Sequence, residues 1–310
     1  MSSFADHARV AERETLLALH GVSFRYLDRF AALDDVSLTV ERGERVALLG
    51  ANGCGKSTLL KILDGLVFPH TGRYDAFGVG VTEDSLEDEQ FSRGFRSRVG
   101  FVFQNSDAQV FSPTVREEIA FGPLNMGMGA DEARVRVDDV LTMLDIVDLA
   151  ERAPYQLSGG EKKRVAIASV LVMNPDVLLF DEPTAALDPR TQRWLLDLVV
   201  ELHRAGKTIV VATHDLDALD ALADRCVVFS EDHRVVADGD PGRVLDDTAL
   251  LLAVNLVHEH GHRHGSFLHS HPHADGHHGE ERCAASETRS GAQSPFGATS
   301  STSNPSRSSR

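Results

Sequence analysis

Residues 50–57 read Gly50-Ala51-Asn52-Gly53-Cys54-Gly55-Lys56-Ser57. They match the Gly-x-x-x-x-Gly-Lys-Ser pattern of a phosphate-binding loop, between a strand-like run at 45–49 and a helix-like run at 58–63. The glycines let backbone N–H groups turn toward phosphate oxygens at a helix N-terminus. Lys56 would place its charge on the β- and γ-phosphates, and Ser57 would offer its hydroxyl to Mg²⁺. The run therefore predicts a nucleotide site.

A second feature is an apolar run, residues 177–180, that ends in Asp181 and Glu182. Such a run is typical of a buried parallel strand, and open α/β sheets bind ligands at the carboxyl ends of these strands. Asp181 would hold Mg²⁺, and Glu182 would polarise the attacking water as a general base. The alternative is an ordinary buried strand followed by an acidic helix cap. The phosphate-loop pattern in the same chain favours the catalytic interpretation.

A third feature is Leu157-Ser158-Gly159-Gly160, followed by a helix-like stretch at 161–168. Taken alone, Ser158 is a plain helix N-cap, and free N–H groups at such an end bind anions. With this run the chain resembles the ATP-binding cassette (ABC) family, whose signature is Leu-Ser-Gly-Gly. In that family the signature of one subunit closes over the nucleotide of the other. The resemblance implies that Ser158, Gly159 and Gly160 act in trans on a second ABC ATPase subunit.

Other motifs of the family follow in order over residues 15–255. The resemblance implies that Gln104 contacts Mg²⁺ or the attacking water and that His214 senses the γ-phosphate. It also implies that Tyr26 stacks on adenine and that Asp188 lies in a loop at the dimer interface. A lone Tyr or His is more often a packing residue, and that alternative stays open for both. The cofactors implied are ATP and Mg²⁺, with Mg²⁺ at Ser57, Gln104 and Asp181. The implied ATP contacts are Tyr26, Gly50, Ala51, Asn52, Gly53, Cys54, Gly55, Lys56, Ser57 and Thr58.

The fold class implied is α/β, an ABC nucleotide-binding domain at 15–256. It would combine a phosphate-loop core on a parallel sheet, an antiparallel β subdomain and an inserted helical subdomain. Two strand-like runs within 16–40 are expected to start the antiparallel sheet, and strand and helix patterns alternate over 177–236. Residues 112–157 are rich in helix formers and predict the helical insertion. We expect residues 1–14 to form a tail and the acidic run 83–89 to be a solvated loop.

Composition limits the function classes. The chain has 310 residues, of which 42% are hydrophobic, and a formal net charge of −16. The acidic balance argues against a nucleic-acid partner, which would need a basic face. No apolar run approaches 18 residues, the N-terminus lacks a secretory core, and the 3 cysteines form no paired framework. We therefore expect a cytosolic chain that is not itself a membrane pore. The family resemblance implies in addition that it is a peripheral protein on the cytoplasmic face of the cell membrane.

Residues 104–111 and 115–123 are similar to the energy-coupling factor branch, which includes cobalt and nickel importers. This similarity implies an ATP-binding subunit that works with a transmembrane coupling protein and a substrate-capturing membrane protein. The second ABC subunit would be identical or different. The same branch also serves vitamins and other small solutes, so that alternative stays open. A more distant alternative is a non-transport ABC ATPase of the DNA-repair or ribosome-associated kind.

The residues from 257 to 310 are His-rich first and then Ser-rich, and we expect a tail that is disordered after Cys283. Imidazole suits Ni, Co, Cu and Zn, and alternating histidines on an extended chain share one side. The alternative is a biased tail that binds metal only incidentally. The candidate Ni or Co ligands are His258, His260, His262, His264, His269, His271 and His273.

Overall fold

The computed structural model describes residues 14–264 and 267–274, with side chains as far as Val257. The strands are β1 Thr15–Tyr26, β2 Phe30–Glu41, β3 Arg45–Leu49, β4 Thr71–Ala76, β5 Val79–Gly80, β6 Val99–Val102, β7 Val177–Asp181, β8 Thr208–Thr213, β9 Arg225–Phe229, β10 Val235–Gly239, β11 Val257–His264 and β12 Phe267–Ala274. The helices are α1 Lys56–Leu63, α2 Glu83–Glu87, α3 Glu89–Arg98, α4 Val115–Asn125, α5 Ala130–Met143, α6 Gly159–Leu171, α7 Pro189–Arg204, α8 Leu219–Leu222, α9 Pro241–Asp246 and α10 Thr248–Ala253.

The central sheet has the strand order β10-β9-β3-β8-β7-β6. Strands β9, β3, β8, β7 and β6 run parallel, and β10 closes one edge antiparallel to β9. Strands β7 and β8 are buried along their whole length, which explains their nearly continuous apolar sequence. Because parallel strands end at the same edge, the residues that follow β3, β7 and β8 meet there. This arrangement confirms the predicted parallel core.

The antiparallel sheet, with the order β2-β1-β4-β5, confirms the second part of the predicted fold. Arg225 of β9 joins it to the central sheet. Its guanidinium donates to the carbonyl oxygen of Thr39 in β2 at 3.0 Å and to Glu44 at 3.0 Å. It also forms a two-point pair with Asp238 of β10, at 2.6 Å for each contact. One side chain therefore ties three strands of the two sheets together.

The acidic run at 83–89 is not a solvated loop, and that expectation is wrong. Helix α2 begins after Thr82, which forms a reciprocal capping box with Ser85, and Asp88 caps α3 through the N–H of Phe91. Glu83, Asp84 and Glu89 lie in the first turns of these helices, where the helix dipole favours negative charge. The capping residues within the acidic run were the signal that the sequence analysis missed.

The helical insertion contains α4 and α5 and packs against α6. Helix α4 begins with a capping box between Thr114 and Glu117. The next residue, Glu118, is buried, and its Oε2 accepts hydrogen bonds from the N–H groups of Phe111 at 2.8 Å and Ser112 at 2.7 Å. This carboxylate therefore fixes the loop that precedes α4 and sets where Phe111 lies.

Beyond α10, strands β11 and β12 pair antiparallel over residues 257–274. The sequence analysis assigned these residues to a tail and did not anticipate the strand pair. The rest of that predicted tail, 275–310, and residues 1–13 of the N-terminal tail lie outside the described residues. No helix in the described part of the chain combines the length and apolar character needed to cross a membrane.

Replacing Glu118 with Ala should lower the free energy of unfolding by about 2 kcal/mol, because two backbone N–H groups lose a charged acceptor. The matched variant Glu118→Gln keeps an acceptor oxygen and should cost clearly less. Urea unfolding of the purified chain, compared at constant m-value, measures both. Equal losses for Ala and Gln would contradict the role given to the acceptor atom.

Candidate active site

The phosphate loop connects β3 to α1, as the sequence predicted. Gly55 precedes α1 with a φ of +116°, and a Cβ at this position would lie 2.1 Å from the carbonyl oxygen of Ala32. Only glycine fits this combination of conformation and close backbone approach. No side chain caps the start of α1, so its first N–H groups are available to an anion such as a phosphate.

Lys56 lies buried at the start of α1. Its Nζ donates to the carbonyl oxygens of Gly50 at 2.7 Å and Ala51 at 3.3 Å. The same Nζ lies 3.5 Å from Oε1 of Glu182. The positive charge is thus held inside the loop by neutral acceptors, next to an acidic side chain. Phosphate oxygens, which carry negative charge, would be stronger acceptors for it.

Ser57 and Asp181 meet where β7 ends. The hydroxyl of Ser57 donates to Oδ1 of Asp181 at 2.8 Å. Burial raises the pKa of Asp181, while the hydrogen bond from Ser57 and the charge of Lys56 oppose this rise. A hydroxyl and a carboxylate are hard oxygen donors, the type of ligand that Mg²⁺ prefers. The residues present therefore fit a magnesium ion.

Glu182 directly follows β7 and has the uncommon φ of +43°. Its Oε2 lies 2.9 Å from Nδ1 of His214, and a carboxylate accepts, so Nδ1 carries the proton. Its backbone N–H donates to the carbonyl oxygen of Ala212 at 2.9 Å. By contrast, Oε1 is buried and accepts no hydrogen bond, although Lys56 Nζ is near. Oε1 is therefore a buried acceptor that has an ion-pair partner at 3.5 Å and can still accept a hydrogen bond.

Tyr26 lies at the end of β1, beside the start of α1. Its hydroxyl is 3.3 Å from Oγ1 of Thr58, and its ring meets that of Phe24 edge-on with centroids 4.9 Å apart. The Tyr26 side chain is 38% exposed. Part of the Tyr26 side chain is thus accessible to solvent beside α1, at the place where the resemblance predicted an aromatic residue.

Hydrogen bonds from Lys163 and Gln109 hold the stretch around Gln104 against α6. The sequence analysis assigned no role to these two residues. Lys163 is 2% exposed, and its Nζ donates to the carbonyl oxygens of Phe103 at 3.0 Å and Gln104 at 3.4 Å. Gln109 bridges the N–H of Phe103 at 3.0 Å and the carbonyl oxygen of Ala166 at 3.1 Å. Burial lowers the pKa of Lys163 to about 8, opposed by the charge of Asp181. Lys163 lies three residues before the buried Ala166 on α6, and therefore on the same helix face. A lysine on a buried face was the sequence signal for this contact.

The signature residues form a helix start of their own. Ser158 caps α6 in a reciprocal box with Glu161, whose pKa is lowered by the Ser158 N–H and hydroxyl. Asp188 caps α7 by accepting from the N–H groups of Arg190 and Thr191 and from the Thr191 hydroxyl. A Cβ on Gly160 would lie 2.8 Å from Thr191 Oγ1, so the starts of α6 and α7 are neighbours.

The structure thus brings together one group of the predicted residues at the edge of the central sheet: Tyr26, Lys56, Ser57, Thr58, Asp181, Glu182 and His214. Gln104 is tied to the same region through Lys163. Within the described part of the chain, the side-chain hydrogen bonds of Ser158 and Asp188 stay at their own helix starts. The side chains of the predicted histidine ligands from His258 onward lie outside the described residues.

Comparisons with known proteins identify this arrangement. Residues 33–185 match the family described as ABC transporter. A protein of Methanosarcina acetivorans, described as an ABC transporter ATP-binding protein, is 51% identical over 81% of this chain and 92% of its own. The chain belongs to the ABC transporter ATP-binding proteins. The ABC ATPase therefore has the fold and the ATP-hydrolysing activity that its sequence motifs predicted.

Two further similarities are more specific. The nickel import ATP-binding protein NikO of Rhodobacter capsulatus is 48% identical, over 77% of the ABC ATPase and 94% of NikO. The solved structure of CbiO1 from Clostridium perfringens, described as part of the ABC transporter complex CbiONQ, is 38% identical with a TM-score of 0.67. That match covers 78% of the ABC ATPase and 95% of CbiO1.

Replacing Lys163 with Met should lower kcat for ATP hydrolysis by about tenfold to a hundredfold, because the Gln104 stretch loses its fastening. The KM for ATP should stay near the wild-type value, since the phosphate loop is untouched. The control is Arg204→Met on α7, which removes only an exposed pair with Glu201 and should change kcat by less than about twofold. Steady-state phosphate release measures both constants, and a wild-type kcat in Lys163→Met would contradict the fastening role.

Proposed function

We propose that the ABC ATPase is the ATP-binding subunit of an energy-coupling factor type importer for nickel or cobalt. The observation that carries this proposal is the similarity to a nickel import ATP-binding protein over most of both chains. The similarity to CbiO1, part of the CbiONQ complex, supports the same branch. The protein would lie on the cytoplasmic face of the membrane, held there by its membrane partners.

In the proposed reaction, ATP phosphates replace the carbonyl oxygens of Gly50 and Ala51 as acceptors for Lys56. Tyr26 stacks on the adenine ring through its exposed face. Glu182 Oε1, which has no donor, accepts a hydrogen bond from the attacking water and takes its proton as general base. His214 holds Oε2 at 2.9 Å, so the carboxylate is aimed while the water is deprotonated.

Ser57, Asp181 and Gln104 would hold Mg²⁺, which when bound neutralises charge on the phosphates. The Ser57–Asp181 contact of 2.8 Å and the burial of Asp181 support this ligand set. Burial also raises the pKa of Asp181, so a cation beside it would favour the ionised carboxylate that a metal needs.

The active assembly would contain two ABC subunits, the same or different. One phosphate loop and one signature occur in the sequence, so a nucleotide enclosed by both needs a second chain. Ser158 and Gly159 are exposed at the start of α6, where free N–H groups suit phosphate binding from outside the chain. Asp188 orders the adjacent start of α7 and would lie in the dimer interface.

A groove on the helical insertion would receive the transmembrane coupling protein. It encloses about 520 Å³ and is lined by Phe111, Phe121 and Leu124, among others. The two Phe rings meet edge-on at 4.9 Å, yet they are 67% and 48% exposed. Exposed aromatic side chains around a concavity are typical of a protein interface, and a short apolar helix fits such a groove. Glu118 holds Phe111 in place at its rim.

Replacing Glu182 with Gln should leave ATP binding intact and lower hydrolysis by at least about a hundredfold, because the amide cannot accept the proton of water. The contrasting variant Lys56→Ala should weaken ATP binding itself, since the phosphates lose a charged partner. Fluorescent nucleotide titration and phosphate release separate the two effects. Undiminished hydrolysis in Glu182→Gln would remove the general base from the mechanism.

Cells that lack the chain should lose uptake of radiolabelled Ni²⁺ or Co²⁺ at submicromolar concentration. The wild-type gene should restore it, and Glu182→Gln should not, because transport depends on hydrolysis. Phe121→Ser, in the groove, should also fail to restore uptake while the purified chain still hydrolyses ATP. The matched control is Val135→Ser on α5, which is likewise exposed, at 57%, and lies outside the groove.

Unchanged uptake of both ions would contradict the metal assignment and favour the vitamin or small-solute importer of the same branch. Equal uptake with Phe121→Ser and Val135→Ser would contradict the groove as the docking site. Failure of the wild-type chain to co-purify with any membrane protein from cells would favour a non-transport ABC ATPase.

A further inference from the structure

The strand pair β11–β12 puts its histidines in register. The Cα partners include His258 with His273, His260 with His271, and His262 with His269. Residues two apart along a strand lie on the same face of a sheet, and so do direct partners across it. The seven histidines of the two strands therefore share one face. That face also includes Phe267, the partner of His264.

The opposite face has a different composition. It is formed by Val257, Glu259, Gly261 and Arg263 of β11 and by their partners Leu268, Ser270, Pro272 and Ala274 of β12. The segregation depends on the register, because a slip of one residue would send the histidines of one strand to the other face. The histidine pattern and the strand pairing thus agree with each other.

We propose that the histidine face of β11–β12 is a binding site for divalent transition-metal ions of the Ni²⁺, Co²⁺, Cu²⁺ and Zn²⁺ class. Direct cross-strand partners in a sheet have Cβ atoms about 4.5–5.5 Å apart, so the register places histidines next to each other in pairs. Two neighbouring pairs bring together four histidines, the number of ligands in a tetrahedral site. Imidazole selects these ions over Mg²⁺ and Ca²⁺, which prefer oxygen.

The base of the strand pair is anchored on the ATP-binding core. Leu256 and Val257 are buried in a cluster that also contains Leu49, the last residue of β3 before the phosphate loop. The first residue of β11 is therefore packed against the folded domain. The proposal does not rest on the transported species, because the site is formed by the ATPase chain alone.

The test uses purified full-length chain without an affinity tag and Ni²⁺ as the probe, by equilibrium dialysis at pH 7.5. Histidines are moved between faces while the composition is kept constant. The β11 exchange is H260G/G261H/H262R/R263H. The β12 exchange is L268H/H269L/S270H/H271S. A third variant combines both exchanges, which restores two neighbouring histidine pairs on the opposite face because 261 pairs with 270 and 263 with 268.

Each single exchange should weaken Ni²⁺ binding by at least about tenfold. The loss of partners that only orient ligands already costs about 10–100-fold in affinity, and here ligands themselves leave the site. The combined exchange should recover most of the affinity of the wild type. ATP hydrolysis should be unchanged in all three variants, which verifies that the domain is folded.

If Ni²⁺ binding depended only on the number of histidines, the wild type and all three variants would bind Ni²⁺ equally. That result would overturn the proposal. Weak binding that the combined exchange fails to restore would also overturn it, since facing pairs would then not be the ligand unit. A second measurement at pH 5.5 should show loss of binding, because protons compete with the metal ion for the imidazole nitrogens. Retention at pH 5.5 would indicate carboxylate ligands and contradict the histidine face.

Discussion

The active site depends on the parallel register of three neighbouring strands. Leu49, the last residue of β3, pairs with Thr213, the last residue of β8, and Asp181 of β7 pairs with Ala212. The phosphate loop, the acidic pair and His214 each begin within a residue of these positions. Because the three strands end together, their chemical groups converge although they are far apart in the sequence. A ligand at this edge then meets backbone N–H groups, carboxylates and an imidazole at once.

Within that edge, several buried charged groups lie close together, and our proposal is that a bound nucleotide would provide them with further partners. Lys56 donates hydrogen bonds to carbonyl oxygens of its own loop, and Glu182 Oε1, which accepts no hydrogen bond, lies 3.5 Å from the Lys56 ammonium group. Asp181 is held in a buried setting that raises its pKa. Such groups are costly to keep in a folded protein without partners. Their cost is understandable where phosphates, a metal ion and water supply the missing contacts.

The same edge is also connected to the rest of the domain. Lys163 of α6 reaches the carbonyl oxygens beside Gln104, and Ser158 begins that same helix. A movement of α6, which begins at the signature, would therefore also displace the stretch around Gln104. The groove of Phe111 and Phe121 follows that stretch in the chain and is fixed by Glu118. Polar contacts thus join α6 to the Gln104 stretch and fix the loop of Phe111, and the chain itself connects these two segments.

The sequence by itself determined the phosphate loop, the acidic strand end, the signature and the fold class, because each is a local pattern whose chemistry depends on adjacent residues. It did not reveal the helices at 83–98, whose caps are Thr82, just before the acidic run, and Asp88, within it, or the buried contacts of Lys163. Those contacts join residues about sixty apart, and only packing brings them together. The histidine spacing was visible in the sequence, but only the register of β11 with β12 decided that both sets lie on one face. Along one strand, side chains alternate between the two faces of a sheet, so the sequence shows which residues of that strand share a face. It does not show the pairing register, which decides which residues of the partner strand lie on that face.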